Sequence, residues 1–187
     1  MAFQQSADAK AILRTLWKVH VKMTRTVILG IVRGEDVTVV EAELMKNQDD
    51  IGNVFRSTYG DAVAKKIANL LKEHIRIAGM LITAAKNHEV GVFALQRKLW
   101  WKNADDIAMA LSTLNSVWHY ENLKAALHAH LTLTLQEAIN ELKGNRSGGI
   151  RYYLEAMRQV QQIADALSLG ILQTIALHGQ HIMMMFS

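Results

Sequence analysis

Apolar residues recur along most of the chain at intervals of three and four, the period of a helix with one buried face. Leu13, Trp17, Val27 and Ile31 form the first such stripe, with Ser6 or Asp8 as its cap and Arg33-Gly34 as its end. Thr38-Val39-Val40-Glu41 has the form of a capping box opening a second helix through Leu44, Ile51 and Val54, which stops near Thr58-Tyr59-Gly60 and carries Gly52 as a weak point. Asp61 caps a third, with Val63, Ile67, Leu70, Ile77 and Leu81 inward as far as Lys86-Asn87-His88-Glu89. A fourth runs from about Val92 to Leu114 on Leu99, Trp100, Ile107 and Leu111. A fifth runs from about His119 to Lys143 on Leu123, Leu127, Leu131, Leu135 and Leu142. A sixth starts near Ile150, after the flexible connector Asn145-Arg146-Ser147-Gly148-Gly149, with Tyr153, Met157, Val160, Ala164, Leu167 and Ile171 inward.

Six helices with short connectors predict an all-α, antiparallel up-and-down bundle with a four-helix core and two further helices completing it, in a single domain over residues 1–187. No internal repeat is visible. Composition agrees: there is no proline, and hydrophobic residues make up 50% of the 187, enough for a core without staples. The absence of cysteine excludes disulfides and thiolate chemistry and suits a cytoplasmic protein. The polar start, Met1 to Lys10, lacks a signal peptide's apolar stretch, and no run reaches the ~18 apolar residues of a membrane span. A net charge of +4 is spread among both signs rather than massed beside aromatics, which argues against nucleic-acid binding.

The informative positions are the polar ones on the apolar stripes. His20 and Thr24 continue the first stripe, His74 the third, and His130 and Thr134 the fifth, while Asn103 and Asp106 lie beside the fourth. His20, His74, Asn103, His130 and Asp165 all fall near the middle of their helices, and midpoints of antiparallel helices of similar length meet at one level. One polar layer is therefore expected. Three readings of it stay open: a small polar or anionic ligand held by His20, Thr24, Arg25, His74, Asn103, Asp106, His130 and Asp165; a divalent metal on His20, His74, His130 and Asp165; or a core layer with no ligand. The paired-carboxylate Glu-x-x-His pattern, His-Glu-x-x-His, the P-loop and Gly-x-Ser-x-Gly are missing, and no nucleophile beside a base can be named, so no catalytic residue is assigned. His128 and His130 point to different helix faces. The apolar ending Ile182-Met183-Met184-Met185-Phe186 suits an adaptable contact, and two readings of it stay open: a homodimer through this tail, or a tail that folds back on its own bundle or frays.

The segments His20-Val-Lys-Met-Thr24-Arg25, Asn47 to Asn53, Leu70 to Ile75, Trp101 to Ala108 and His130-Leu-Thr-Leu-Thr134, in this order, resemble a family of small bacterial helical proteins of unknown function, some of which carry a glycosyltransferase label. The likeness spans about Leu16 to Ile171. It implies that His20, Thr24, Arg25, Asn47, Asp50, His74, Asn103, Asp105, His130 and Asp165 are the positions to watch, and it implies no activity. The chain departs from the family where relatives have a proline, at Asn115 to Trp118, and where they have a His, near Gln159.

Overall fold

The computed structural model describes the backbone of residues 2–185 and the side chains of residues 9–177. Among these the elements are all helical: α1 (Ala2–Arg33), α2 (Thr38–Asn53), the single turn α3 (Arg56–Tyr59), α4 (Asp61–Lys86), α5 (Val90–Ser112), α6 (Tyr120–Leu142) and α7 (Arg146–Met185). The Thr38 to Glu41 box does not close. Asp36 Oδ1 instead accepts from both the backbone N–H (2.9 Å) and the hydroxyl (2.6 Å) of Thr38. The stretch expected as a flexible connector is the start of α7, capped by Asn145, whose Oδ1 accepts from Gly148 N–H at 3.1 Å.

The six long helices form three hairpins, α1–α2, α4–α5 and α6–α7, closed into a ring. Helices α1, α4 and α6 touch one another across the middle, whereas α2, α5 and α7 each fill the groove between two of them and, among the described residues, do not pack against each other. The hairpins repeat in register. His20, His74 and His130 stand at intervals of 54 and 56 residues, and so do the left-handed residues that end the inner helices, Gly34 (φ 77°), His88 (φ 60°) and Gly144 (φ 74°). Each turn closes with the same Schellman bond at 2.9 Å, from Glu35 N–H to Gly30 O, from Glu89 N–H to Ala84 O and from Asn145 N–H to Asn140 O. A pseudo-threefold axis therefore runs along the bundle. One apolar cluster consists of the corresponding residues Ile28, Ile82 and Ala138, one from each inner helix.

Gly52, weak by helix propensity, stands where α2 closes on α4: a Cβ there would lie 2.6 Å from Ala64 O and 2.8 Å from Ala68 Cβ. Corresponding positions on α5 and α7 are Ala108 and Ala164, both fully buried. Over Arg146–Leu177 helix α7 does reach the length and apolar composition of a membrane span. In this fold Val160, Ile163, Ala164 and Leu167 of that stretch are buried, and α7 packs along α1 and α6.

Candidate functional site

An axial cavity of about 200 Å³ lies on the pseudo-threefold axis. Its wall is built from corresponding residues of the three hairpins: Trp17, Leu71 and Leu127 from the inner helices, then Ile51, Ile107 and Ile163 from the outer ones, then Leu111 and Leu167 of α5 and α7 with Phe55 of the turn after α2. The α5–α6 connection, Val117 to His119, covers one side, and the exposed side chains His119, Asn122 and Gln162 give the mouth a polar rim. This connection is tied to α7. Asn115 Nδ2 donates to Gly170 O (2.7 Å) and Thr174 Oγ1 (2.8 Å), and Trp118 Nε1 donates to Ala166 O at 2.9 Å. Gly170 has no side chain because the Trp118 indole lies against it, closer than a Cβ would allow.

One turn further along each inner helix from Trp17, Leu71 and Leu127 come His20, His74 and His130, a layer next to the cavity but not part of its lining. All three are buried, at 2%, 5% and 3% exposure. Each outer helix contributes an amide to the same level in the same way. Asn47 Nδ2 donates to Leu16 O (3.2 Å), Asn103 Nδ2 to Leu70 O (3.1 Å) and Gln159 Nε2 to Ala126 O (2.7 Å), the acceptor in every case lying four residues before the histidine. With its nitrogen so committed, Asn103 presents Oδ1 to His74 Nδ1 at 2.9 Å. An amide oxygen only accepts, so the His74 proton sits on Nδ1 and Nε2 is left as an acceptor. Gln48 and Gln159 amide oxygens lie toward His20 and His130, but neither closes a hydrogen bond.

The layer is uncharged at neutral pH. Burial holds His20 well below the usual imidazole range, with further depression from His130 and His74 and slight opposition from Gln48. Burial lowers His74 to about 4 against the Asn103 bond, and burial with His74 nearby lowers His130 to about 3. Aromatic rings frame the site: Trp17 stands edge-on to His20 with centroids 5.3 Å apart, His20 to His130 is 5.7 Å, and Trp100 lies 5.2 Å from His74. Buried polar atoms without a hydrogen-bond partner gather here: Trp17 Nε1, His20 Nδ1, His130 Nδ1, Thr24 Oγ1, Gln48 Oε1, Trp100 Nε1 and Gln159 Oε1. Such atoms are scarce in folded proteins, and here they collect at the level of the histidines, where the Gln48 and Gln159 amides face His20 and His130.

Of the polar positions singled out from the sequence, His20, His74, Asn103 and His130 meet in this layer, and Thr24 lies one turn beyond His20. Asp165 does not join them. It is on the outer side of α7, bound through both oxygens to Arg14 at 2.6 Å, and that bond holds its carboxyl below the usual range. Asp106 is likewise at the surface, 2.6 Å from Lys102 one turn back. Arg25 points into a separate ionic cluster, 2.7 Å from Glu137 and 3.1 Å from Glu141, with the Tyr153 ring 4.9 Å away. Among the described residues no three His, Cys, Asp or Glu side chains are placed to hold one metal ion. Asp165, committed to Arg14 outside the bundle, does not stand with His20, His74 and His130 as the expected divalent-metal set had it. Asp50 is exposed. Asp105 forms a half-exposed pair with His128 Nε2 at 2.7 Å, which the opposite facing of His128 and His130 foreshadows. The methionine-rich tail proposed for dimer contact lies outside the described side chains.

Gln48, Gln159, Trp17 and Trp100 belong to the site without having been read as part of it, and the resemblance alone points to Asn47. Comparison of the chain with protein-family models, with curated proteins and with solved structures finds no match in any of the three.

Proposed function

We propose that this protein binds a small, largely apolar molecule in the axial cavity. The observation that carries the reading is the cavity itself, about 200 Å³ with an apolar wall and a polar rim. An apolar cavity of about 150 Å³ holds a benzene-sized guest, so this one takes a single ring with a short substituent. Three hairpins that each leave corresponding side chains short of the axis give the cavity the same rigid support on every side.

Toluene titrated into the protein by calorimetry tests this: saturable one-to-one binding is expected, and it is lost in Ala166→Trp. Ala166 lines the mouth from the exposed side of α7, so a bulky ring there closes the entrance while leaving the core packing alone. Absence of toluene binding to the unsubstituted protein would overturn the proposal.

A further inference from the structure

We infer that the molecule this cavity takes is polar at one end only: an uncharged amphiphile of single-ring size whose apolar body lies inside and whose one polar group stays in the mouth beside Asn122 and Gln162. This rests on the cavity reading above and specifies the ligand's class and its orientation.

The inference follows from where the polar lining residues stand. Apart from the Trp17 and Trp118 indoles, only His119, Asn122 and Gln162 bring polar side chains to the lining; all three are exposed, and all come from the third hairpin or the connection leading into it. The first two hairpins supply Ile51, Phe55, Ile67, Leu71, Ile107 and Leu111, each at 4% exposure or less and none with a polar side-chain atom. The buried histidines lie outside the lining and offer a guest nothing.

A hydroxyl carried among those six side chains would exchange water for hydrocarbon and find no partner there, whereas one left in the mouth keeps its water and meets two amides and an imidazole. Amides and a neutral imidazole both donate and accept, as a hydroxyl does. No Lys, Arg, Asp or Glu lines the cavity or its rim, so an ionic head would find no countercharge. A molecule polar at both ends is disfavoured either way round, because one of its groups must go in.

Toluene, p-cresol and 4-hydroxybenzyl alcohol share one ring and one substituent carbon and carry no hydroxyl, one hydroxyl, and one at each end. Titrated into the unsubstituted protein at pH 7.5, p-cresol is expected to bind within about tenfold of toluene, and 4-hydroxybenzyl alcohol at least about tenfold more weakly than p-cresol, the effect of one hydroxyl buried without a partner. Ala166→Trp should abolish p-cresol binding together with toluene binding. A smaller loss for 4-hydroxybenzyl alcohol would show that the interior accepts a hydroxyl, and p-cresol more than about tenfold weaker than toluene would show that the mouth does not hold one; either result overturns this inference while toluene binding keeps the cavity reading standing. p-Cresol still bound by Ala166→Trp would place it outside this mouth and overturn the inference as well. If toluene does not bind the unsubstituted protein, the cavity reading fails and this inference with it.

Discussion

Two polar clusters lie inside this bundle, and they are built on opposite plans. In the histidine layer the three hairpins agree: each supplies an imidazole from its inner helix and an amide from its outer helix, and the amide donates to the corresponding carbonyl. In the Arg25, Glu137 and Glu141 cluster they disagree. Glu137 stands where the other hairpins have Val27 and Leu81, Glu141 where they have Ile31 and Ala85, and Arg25 where they have Gly79 and Leu135. A polar group present three times sits on the axis and stays neutral, whereas one present once sits between α1 and α6 and is charged. Glu141 also approaches α7 at Gly149, where a Cβ would meet its carboxylate, so that glycine is required by the ion cluster rather than by the turn.

The largest expected effect is on the pH dependence of stability, because the clusters titrate with opposite signs. The histidines unfold to 6.5 and fold to lower values, about 4 for His74 and about 3 for His130, so they give stability present above pH 6.5 and lost as pH falls through those values. Glu137 is pushed up to about 7 by burial, against the pull of Arg25. Its contribution is present below 4.5 and lost as pH rises through about 7. Between pH 6.5 and 4.5 three imidazoles oppose one carboxyl, so urea midpoints should fall on acidification by an amount worth several kcal/mol, each pKa unit being about 1.4. Glu137→Gln removes the opposing group and should deepen that loss by on the order of 3 kcal/mol. Stability unchanged from pH 7 to 4.5 would mean that the histidine layer is solvated and the contrast is wrong.

Next in size is Arg25→Met, which leaves two carboxylates buried without their cation and should cost about 3–5 kcal/mol at pH 7.5 in chemical denaturation. Arg25→Leu with Glu137→Leu and Glu141→Ala rewrites the cluster with the residues of the corresponding positions, Leu135, Leu81 and Ala85. That triple variant should return to the unsubstituted stability or exceed it. A loss under about 1 kcal/mol for Arg25→Met would place the cluster in water and remove the asymmetry between the hairpins.

The helices were legible because each carries its own apolar stripe, and the histidine layer because those stripes are interrupted at His20, His74 and His130. The threefold repeat was present only as spacing. Beyond the histidines and Ile51, Ile107 and Ile163, the hairpins mostly share apolar character rather than identity, as at Trp17, Leu71 and Leu127. Depth along a helix does not fix the direction a side chain faces, which is why Asp165 matched the level of the layer and yet lies on the outer surface. The ion cluster was hidden for another reason: Arg25 meets its partners 112 and 116 residues away, and nothing local to Glu137 or Glu141 marks them as buried.

Within the layer the histidines are not equivalent, and exchange for leucine separates them. His74→Leu strips Asn103 Oδ1 of its partner while Nδ2 stays bound to Leu70 O, so it should cost about 1–3 kcal/mol. His130→Leu removes a ring whose Nδ1 has no partner, and Gln159 keeps its bond to Ala126 O, so the change should stay within about 1 kcal/mol by thermal melting. Equal losses at the two sites would show that the layer is held by ring packing and not by the amide bonds.

The smallest effect tests the repeat at its turns. His88 is the one non-glycine among the three left-handed residues that end the inner helices, at φ 60°. A side chain in that region costs about 1–2 kcal/mol that glycine avoids, offset in part by the greater freedom of glycine in the unfolded chain. His88→Gly should therefore raise stability by up to about 1 kcal/mol, read as a small upward shift in melting temperature. A loss instead would mean that the His88 ring makes a contact worth more than the strain, and that the second turn differs from Gly34 and Gly144 in function as well as in residue.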